Sequence, residues 1–380
     1  MSLQDFERQL PLSEENMQSR TVFWLRLDPI LLGLLLLLTG TGLLVLYSAG
    51  GQNLSLVGRQ AVYIAVGLAG MIVIANIPPR IFERWSPWVY LLGVGLLVAV
   101  LLSGTGAKGA QRWLALPGFR FQPSELMKLV MPMVVAWYLS RRVLPPSFRH
   151  LLIAMGLIFL PVLLIAKQPD LGTSLLIAAS GLFVLFLAGL QWRVIFGAVL
   201  AALPFAWGMW QFLMRDYQKQ RVLTFLNPES DPWGAGWNII QSKVAIGSGG
   251  IYGKGWFGGT QSQLDFLPES HTDFIIAVFA EEFGLVGVLL LLALYVAIIG
   301  RGLFIAMNAQ TLFGKLLAGS ITLTFFVYVF VNIGMVSGLL PVVGVPLPLV
   351  SRGGTSVVTL LAGFGVLMSV HSHRSWLGRG

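Results

Sequence analysis

Carboxylates stand beside and inside an apolar stretch of the sequence FLPESHTDFIIAVFAEEFG, residues 266–284. Asp273 comes directly before the apolar run, and Glu281 and Glu282 follow about two helical turns later. A carboxylate in this position can take a proton as a general base or can cap a helix, and Thr272 is the other candidate cap. The sequence leaves both roles open for Asp273. We predict that Glu281 and Glu282 are structural partners for helix ends or other helices, and we assign them no chemistry.

A second group of polar residues lies in GAKGAQRWLALPGFRFQPSELMK, residues 106–128, where glycine, proline and aromatic residues indicate a structured loop. The segment QPSE then begins a helix, which Ser124 is predicted to cap. Glu125 and Lys128 are three residues apart and share one face of that helix. They form either a salt bridge that neutralises two charges or a functional site, because charged residues inside an apolar span mark functional sites by default.

The connection over residues 215–272 is much longer than the others, and a structureless loop of that length is rare unless it is functional. We expect it to lie on the mouth of a helix bundle, with short re-entrant helices. Its Gly253-Lys254 step does not end a nucleotide-binding P-loop. That motif needs Gly at 248 and Ser or Thr at 255, where the chain has Ser248 and Gly255.

The composition is that of an integral membrane protein. Hydrophobic residues make up 56% of the 380 residues, and charged residues make up only 11%. Apolar runs of roughly 20 residues, enough to cross about 30 Å of hydrocarbon, favour helices over the alternating strands of a barrel. There is no cysteine, which excludes thiol chemistry, and the net charge of +9 suits anionic lipids or an anionic substrate. The scattered cations do not indicate nucleic-acid binding.

The elements that must position these side chains are membrane-spanning helices. We predict an all-α polytopic membrane protein with about ten transmembrane helices and a long extracytoplasmic loop between helices 7 and 8. The spans lie near residues 29–49, 57–77, 87–104, 124–140, 150–166, 172–190, 192–213, 273–300, 312–337 and 350–370. An even number leaves both termini on one side, where most arginines of the short connections gather, so that side is cytoplasmic by the positive-inside rule. Glu125 and Asp273 then border the opposite side.

Prolines and glycines interrupt the last part of the chain, VNIGMVSGLLPVVGVPLPLVSRGGTS, residues 331–356. Irregular backbone at membrane depth is tolerated only where it is packed in protein or lines a cavity. We therefore predict that the helical structure opens at this stretch.

These and other segments, in chain order, resemble the SEDS family (shape, elongation, division and sporulation), and the elongation branch more than the division branch. The segments are AKGAQRW, FRFQPSE, KQPDLGTS, NPESDPWGAGWN, QSKVAIGSGG, GKGWFGGTQ, FLPESHTDFI and PVVGVPLPLVS, which extend over nearly the whole chain. One departure is visible. Where the family usually reads LVSYGGS, this chain reads LVSRGGT, so Arg352 replaces an aromatic residue and adds a cation near the predicted site.

The resemblance implies a peptidoglycan glycosyltransferase that acts in cell elongation and rod-shape maintenance. Members of the family polymerise lipid II, the undecaprenyl-diphosphate-linked disaccharide pentapeptide, into glycan strands at the outer face of the bacterial cytoplasmic membrane. The catalytic aspartate of the family's HTDF motif falls on Asp273. The predicted substrate-binding residues, from the other motifs, are Arg120, Gln122, Glu125, Lys128 and Ser351.

This assignment agrees with the chemistry that glycosyl transfer needs. A base must take the proton of the acceptor 4-hydroxyl as it attacks C1 of the donor, and cations must stabilise the departing diphosphate. Asp273 can do the first. Arg120 and Lys128 can do the second, with Glu125 orienting Lys128.

The resemblance also implies protein partners. The partners are a class B penicillin-binding protein, which is the transpeptidase that crosslinks the strands, and other membrane proteins of the elongation complex. No cofactor is predicted, and whether Mg²⁺ or Mn²⁺ bridges the diphosphate to Asp273 or Glu125 stays open. His271 has no second histidine placed to complete a metal site.

Two other functions stay open, a lipid II flippase and a non-catalytic scaffold for the transpeptidase. A flippase needs a polar route between both faces of the membrane, whereas the polar residues here cluster on one side. In each case we expect one transmembrane domain with cytoplasmic ends. The predicted boundaries are 1–28 for the N-terminal segment, 29–371 for the domain with its loop at about 214–272, and 372–380 for the tail.

Overall fold

The structure is a computed structural model that describes residues 27–107, 110–116, 119–214, 216–227, 235–263 and 270–373. The described helices are α1 (Pro29–Ala49), α2 (Leu54–Ala75), α3 (Pro79–Ser103), α4 (Pro123–Ser140), α5 (Phe148–Lys167), α6 (Leu171–Leu187), α7 (Trp192–Gly208), α8 (Asp216–Leu226), α9 (Ala235–Ser248), α10 (Thr260–Gln263), α11 (Ile275–Met307), α12 (Leu312–Val336) and α13 (Thr355–Ser372). A short π-helical turn, Met209–Leu213, continues α7.

The predicted class, an all-α polytopic membrane protein, is confirmed. Each predicted span coincides with one of the long helices α1–α7 and α11–α13. Seven helices of the described part are long and apolar enough to cross a membrane, and α4, α6 and α7 are not among them. The number of ten crossings therefore stays a prediction. Some helices extend beyond the predicted apolar spans: α3 begins at Pro79, ahead of the span 87–104, and α11 ends at Met307, beyond the span 273–300.

The structured loop predicted between α3 and α4 contains a small antiparallel sheet that the sequence did not reveal. Its strands are β1 (Thr105–Ala107), β2 (Ala110–Leu116) and β3 (Phe119–Phe121), in the order β1-β2-β3. Strands of three residues carry too little alternation to be recognised from sequence. Ala115 pairs with Arg120, so this sheet holds the backbone of a predicted substrate-binding residue.

The long connection after α7 contains the short helices α8, α9 and α10, and that they are re-entrant stays a prediction. Helix α9 packs against α11 and α12. The buried Ser242 hydroxyl of α9 donates to the carbonyl of Val336 at 2.9 Å, at the last residue of α12. The sheet, α9 and residues 337–354 thus lie at one end of the bundle, which we call the loop end.

Helix α11 is broken at Gly284, whose φ of 64° and ψ of −165° are not helical. The break leaves a buried half-helix, residues 275–283, ahead of the long remainder. Residues 249–255 insert into the break through four backbone hydrogen bonds of 3.0–3.1 Å: Lys254 N to Glu281 O, Gly255 N to Glu282 O, Leu285 N to Gly250 O, and Val286 N to Ile251 O. A Cβ at Gly253 would stand 2.1 Å from a carbonyl of α11, so this approach requires glycine.

Helix α12 lies inside the bundle and packs against α4, α6, α9, α11 and α13. Its buried positions occur on all sides rather than along one stripe, as expected of a helix surrounded by others. Because α12 is a regular helix, the distance between any two of its residues is fixed, and neighbouring elements that contact those residues are held at a fixed distance from each other. The candidate site depends on contacts of this kind with α12.

Candidate functional site

Asp273 lies in the turn that leads into the half-helix of α11. The helix begins at Ile275 with Phe274 in the capping position, so the interpretation of Thr272 or Asp273 as the cap is wrong. The Oδ2 atom of Asp273 lies 3.5 Å from the position that a Cβ on Gly344 would take. The carboxylate therefore faces the irregular segment between α12 and α13.

This segment, residues 341–349, is the stretch where the sequence predicted that the helical structure opens, and the described backbone there is not helical. Buried side chains hold it in place. The Tyr295 hydroxyl donates to Pro348 O at 2.7 Å, and the Ser351 hydroxyl accepts the Leu347 N–H at 2.9 Å. Ser351 is buried, so in this structure its hydroxyl shapes the segment.

Arg352, the departure from the family pattern, is exposed. Its backbone N–H donates to His271 O at 3.1 Å, which ties the segment before α13 to the turn that carries Asp273. Any residue other than proline can make this bond, so the arginine side chain is not needed for it.

Glu125 and Lys128 lie on the first turns of α4 and form an ion pair of 2.6 Å between Lys128 Nζ and Glu125 Oε1. The side chains are 13% and 10% exposed for Lys128 and Glu125, so the pair is largely withdrawn from water. The prediction of Ser124 as the cap is wrong, because α4 begins at Pro123 with Gln122 in the capping position. The Gln122 side chain donates to the Ser124 hydroxyl at 2.9 Å.

Two residues of α12 connect the ion pair with Asp273, and the sequence reading missed both. The Lys128 ammonium lies 5.4 Å from the centroid of the Tyr328 ring. Asn332, one helical turn further, donates from Nδ2 to the carbonyl of Asp273 at 2.9 Å. Residues four apart lie on the same face of a helix. The structure thus brings Asp273 and Lys128 to one face of α12, although the chain separates them by more than a hundred residues.

The other predicted cation, Arg120, lies in β3, and its side chain is outside the part that the structure describes. A different arginine of the sheet, Arg112, reaches α6. Its Nη1 lies 3.6 Å from Asp170 Oδ2, and its Nη2 donates to Pro169 O at 2.5 Å. Asp170 also caps α6. The order Asp-Leu-Gly-Thr is a capping signal in the sequence, but nothing there pairs it with Arg112.

Glu281 and Glu282, which are both fully buried, hold the inserted residues 249–261 against α11. Glu281 Oε1 accepts from Lys254 Nζ at 2.8 Å and from the Thr260 N–H at 2.8 Å. Glu282 accepts from the Ser48 hydroxyl of α1 and from the backbone N–H of Phe257 in the long connection. The two carboxylates are structural partners, as the sequence indicated, and they join the long connection to the half-helix that begins beside Asp273.

We expect Lys254→Met to lower the free energy of unfolding by about 3 kcal/mol, because it leaves the buried Glu281 carboxylate without its cation. Arg141→Met is the matched control. The ion pair of Arg141 with Glu83 is 3.6 Å long with side chains 54% and 28% exposed, so its loss costs about 1 kcal/mol or less. Unfolding of the purified proteins in detergent measures both values. Equal losses in the two variants would contradict the expectation.

A small cavity of about 40 Å³ adjoins Lys128 between α4, α12 and α13. It has room for one or two water molecules, so it is too small for a sugar. Among the residues that the structure describes, no group of three or more histidine, aspartate or glutamate side chains is arranged to hold a metal ion.

The fold and the site define a multi-pass helical membrane protein with a carboxylate and a desolvated ion pair gathered around one helix near the loop end. Residues 20–376 match the model of the FtsW, RodA and SpoVE family of cell cycle proteins, and the chain belongs to that family. This is the SEDS family that the motifs indicated.

Relatives and solved structures agree with the family and its fold. The chain is 58% identical over 363 residues to the peptidoglycan glycosyltransferase MrdB of Escherichia coli K12, which covers 95% of this chain and 98% of MrdB. It is 37% identical to the probable peptidoglycan glycosyltransferase FtsW of Trichlorobacter lovleyi, over 90% of this chain and 92% of FtsW.

Two structural neighbours have the same architecture. A chain from a peptidoglycan synthase complex that coordinates polymerization and crosslinking matches with a TM-score of 0.81 and 31% identity, over 93% of this chain and all of that chain. The rod shape determining protein RodA of Thermus thermophilus matches with a TM-score of 0.70 and 27% identity, over 93% and 99%.

Proposed function

We propose that this protein is a peptidoglycan glycosyltransferase that polymerises lipid II into glycan strands during cell elongation. The observation that carries the proposal is the gathering of Asp273 and Lys128 on one face of α12, in a chain 58% identical to MrdB. Catalysis of glycosyl transfer needs a proton acceptor and a cation held at a fixed spacing. These two side chains are of the required kinds.

Asp273 is the general base in this mechanism. It takes the proton of the acceptor 4-hydroxyl while the oxygen forms its bond to C1 of the donor sugar. The bond between C1 and the phosphate oxygen breaks, and the electron pair leaves with the undecaprenyl diphosphate. A carboxylate suits this proton transfer because, in its ionised form, either oxygen can accept the proton.

Lys128, with Arg120, stabilises the diphosphate as negative charge develops on it. The 2.6 Å bond to Glu125 and the Tyr328 ring fix the Lys128 ammonium before the substrate arrives. A cation that is already oriented and largely withdrawn from water interacts more strongly with the leaving group than a mobile surface lysine does. Gln122 and Ser351 support this region by ordering the start of α4 and the segment before α13.

The membrane placement follows from the substrate. Lipid II keeps its polyprenyl tail in the bilayer while its sugars project from the outer face, so the loop end is extracytoplasmic and both termini are cytoplasmic in this proposal. A class B penicillin-binding protein is the partner that crosslinks the strands. The likeness to a chain of a peptidoglycan synthase complex supports such a partner.

The test uses the full chain in proteoliposomes with its cognate class B penicillin-binding protein and purified lipid II. We expect glycan strands, seen as a ladder on a gel and digested by a muramidase. Fluorescent lipid II in the same vesicles reports transport. Transbilayer movement without strands would replace the proposal with a flippase, and a folded complex that does neither would replace it with a scaffold.

A further inference from the structure

We infer that Asn332 is a positioning residue for the reaction, because its amide joins the backbone of Asp273 to the segment that faces the Asp273 carboxylate. The inference rests on the proposed role of Asp273 as the base. Asn332 lies on α12 and is fully buried, so it does not touch a substrate at the surface. It acts through the two backbone carbonyls that it binds.

Both N–H groups of the Asn332 amide are used. Nδ2 donates to Asp273 O at 2.9 Å and to Val345 O at 2.7 Å. Both acceptors are carbonyls, so turning the amide over would place Oδ1 against two other oxygens. The orientation of the side chain is therefore determined by its partners.

The two carbonyls belong to the two segments that face each other in the candidate site, the turn of Asp273 and residues 341–349. One is the carbonyl of Asp273 itself. The other belongs to Val345, next to Gly344, and a Cβ on Gly344 would stand 3.5 Å from Asp273 Oδ2. The Asn332 side chain thus links the turn of Asp273 directly to the backbone that faces the carboxylate, in addition to the backbone bond from Arg352 N to His271 O. Loss of either bond lets the Asp273 turn and this segment move apart.

Asn332 also relates Asp273 to the cation. It lies one turn from Tyr328, whose ring lies beside Lys128, and the two residues are on the same helical face. The backbone of α12 is surrounded by other helices. Asn332 therefore holds the turn of Asp273 against α12, and Lys128 contacts the same helix at Tyr328.

Ser320 supplies a matched comparison on the same helix. It is fully buried, and its hydroxyl donates to the Ser180 carbonyl of α6 at 2.6 Å, away from the Asp273 turn and residues 341–349. Asn332 and Ser320 therefore both tie α12 to neighbouring backbone, but only Asn332 contacts the turn of Asp273. A purely structural role predicts the same outcome for both residues.

The experiment compares Asn332→Ala and Asn332→Asp with Ser320→Ala in the lipid II polymerisation assay with the partner present. Asn332→Asp keeps the shape and removes the N–H donors. We expect kcat to fall by about 10- to 100-fold in both Asn332 variants, since a displacement of about 1 Å can cost 10²-fold. We expect KM to stay within about twofold, because the bound groups of the substrate are not altered. Ser320→Ala should lower the melting temperature and keep kcat.

Several results would overturn the inference. One is a wild-type kcat in a folded Asn332→Ala protein, and another is an equal loss of kcat in Ser320→Ala at the same melting temperature. If the alanine and aspartate variants do not fold, Asn332→Ser, whose hydroxyl donates to only one of the two carbonyls, must show the same selective loss of kcat. Asp273→Asn is assayed in parallel. If it keeps full activity, the proposed base fails, whereas an inactive Asp273→Asn beside a fully active Asn332→Ala removes only the positioning role.

Discussion

Replacing Asp273 with asparagine is expected to abolish polymerisation of lipid II while the protein stays folded. Asparagine has nearly the same shape and keeps the backbone carbonyl that accepts from Asn332. Its amide does not take a proton, so the acceptor hydroxyl loses its base. General-base catalysis contributes typically 10²- to 10⁴-fold, and we expect kcat to fall by at least about 10²-fold. The measurement is the steady-state rate of strand formation at saturating lipid II by the variant in complex with its partner.

Asp216→Asn is the control for this substitution. Asp216 is an exposed carboxylate at the start of α8, in the long connection that precedes Asp273. Its replacement makes the same chemical change without altering the candidate site. We expect its activity to stay within about twofold of wild type, as for most surface substitutions. Retained polymerisation in a folded Asp273→Asn protein would remove Asp273 from the mechanism.

The second large effect is expected for Lys128→Met, which replaces the ammonium with an apolar end of similar length. We expect kcat/KM to fall by about 10²- to 10³-fold, because the developing charge on the diphosphate loses a fixed cation. Lipid II should also bind more weakly, since the diphosphate is already charged in the ground state. The measurements are initial rates over a range of lipid II concentrations and direct binding of lipid II to the variant.

Folding must be separated from catalysis in this variant, because Lys128→Met leaves the buried Glu125 carboxylate without its cation. The double variant Glu125→Gln/Lys128→Met removes both charges and should regain much of the thermal stability without regaining activity. Lys167→Met, at an exposed lysine in the last turn of α5, controls for the loss of one positive charge. Recovery of activity in the double variant would assign the pair a structural role only.

Much of the fold could be predicted because its cause is local. Seven of the described helices are apolar runs long enough to cross the bilayer, and a chain in hydrocarbon must satisfy its backbone hydrogen bonds within the same helix. Strands β1 and β3 were missed because they have only three residues each, and β2, AQRWLAL, was missed because its apolar and polar residues do not alternate regularly. The break at Gly284 was also missed, since its backbone partners lie in residues 249–255 and a glycine within an apolar run gives no sign of them.

For the site, the sequence by itself determined the kinds of residue that can take part in catalysis: a carboxylate at Asp273 and an oppositely charged pair at Glu125 and Lys128. Only the tertiary structure decided that Lys128 and the backbone of Asp273 both contact the same face of α12, Lys128 at Tyr328 and Asp273 at Asn332. The reason is physical. Helix formation depends on neighbours along the chain, whereas the contact of one helix face with another depends on the packing of side chains that are distant in sequence.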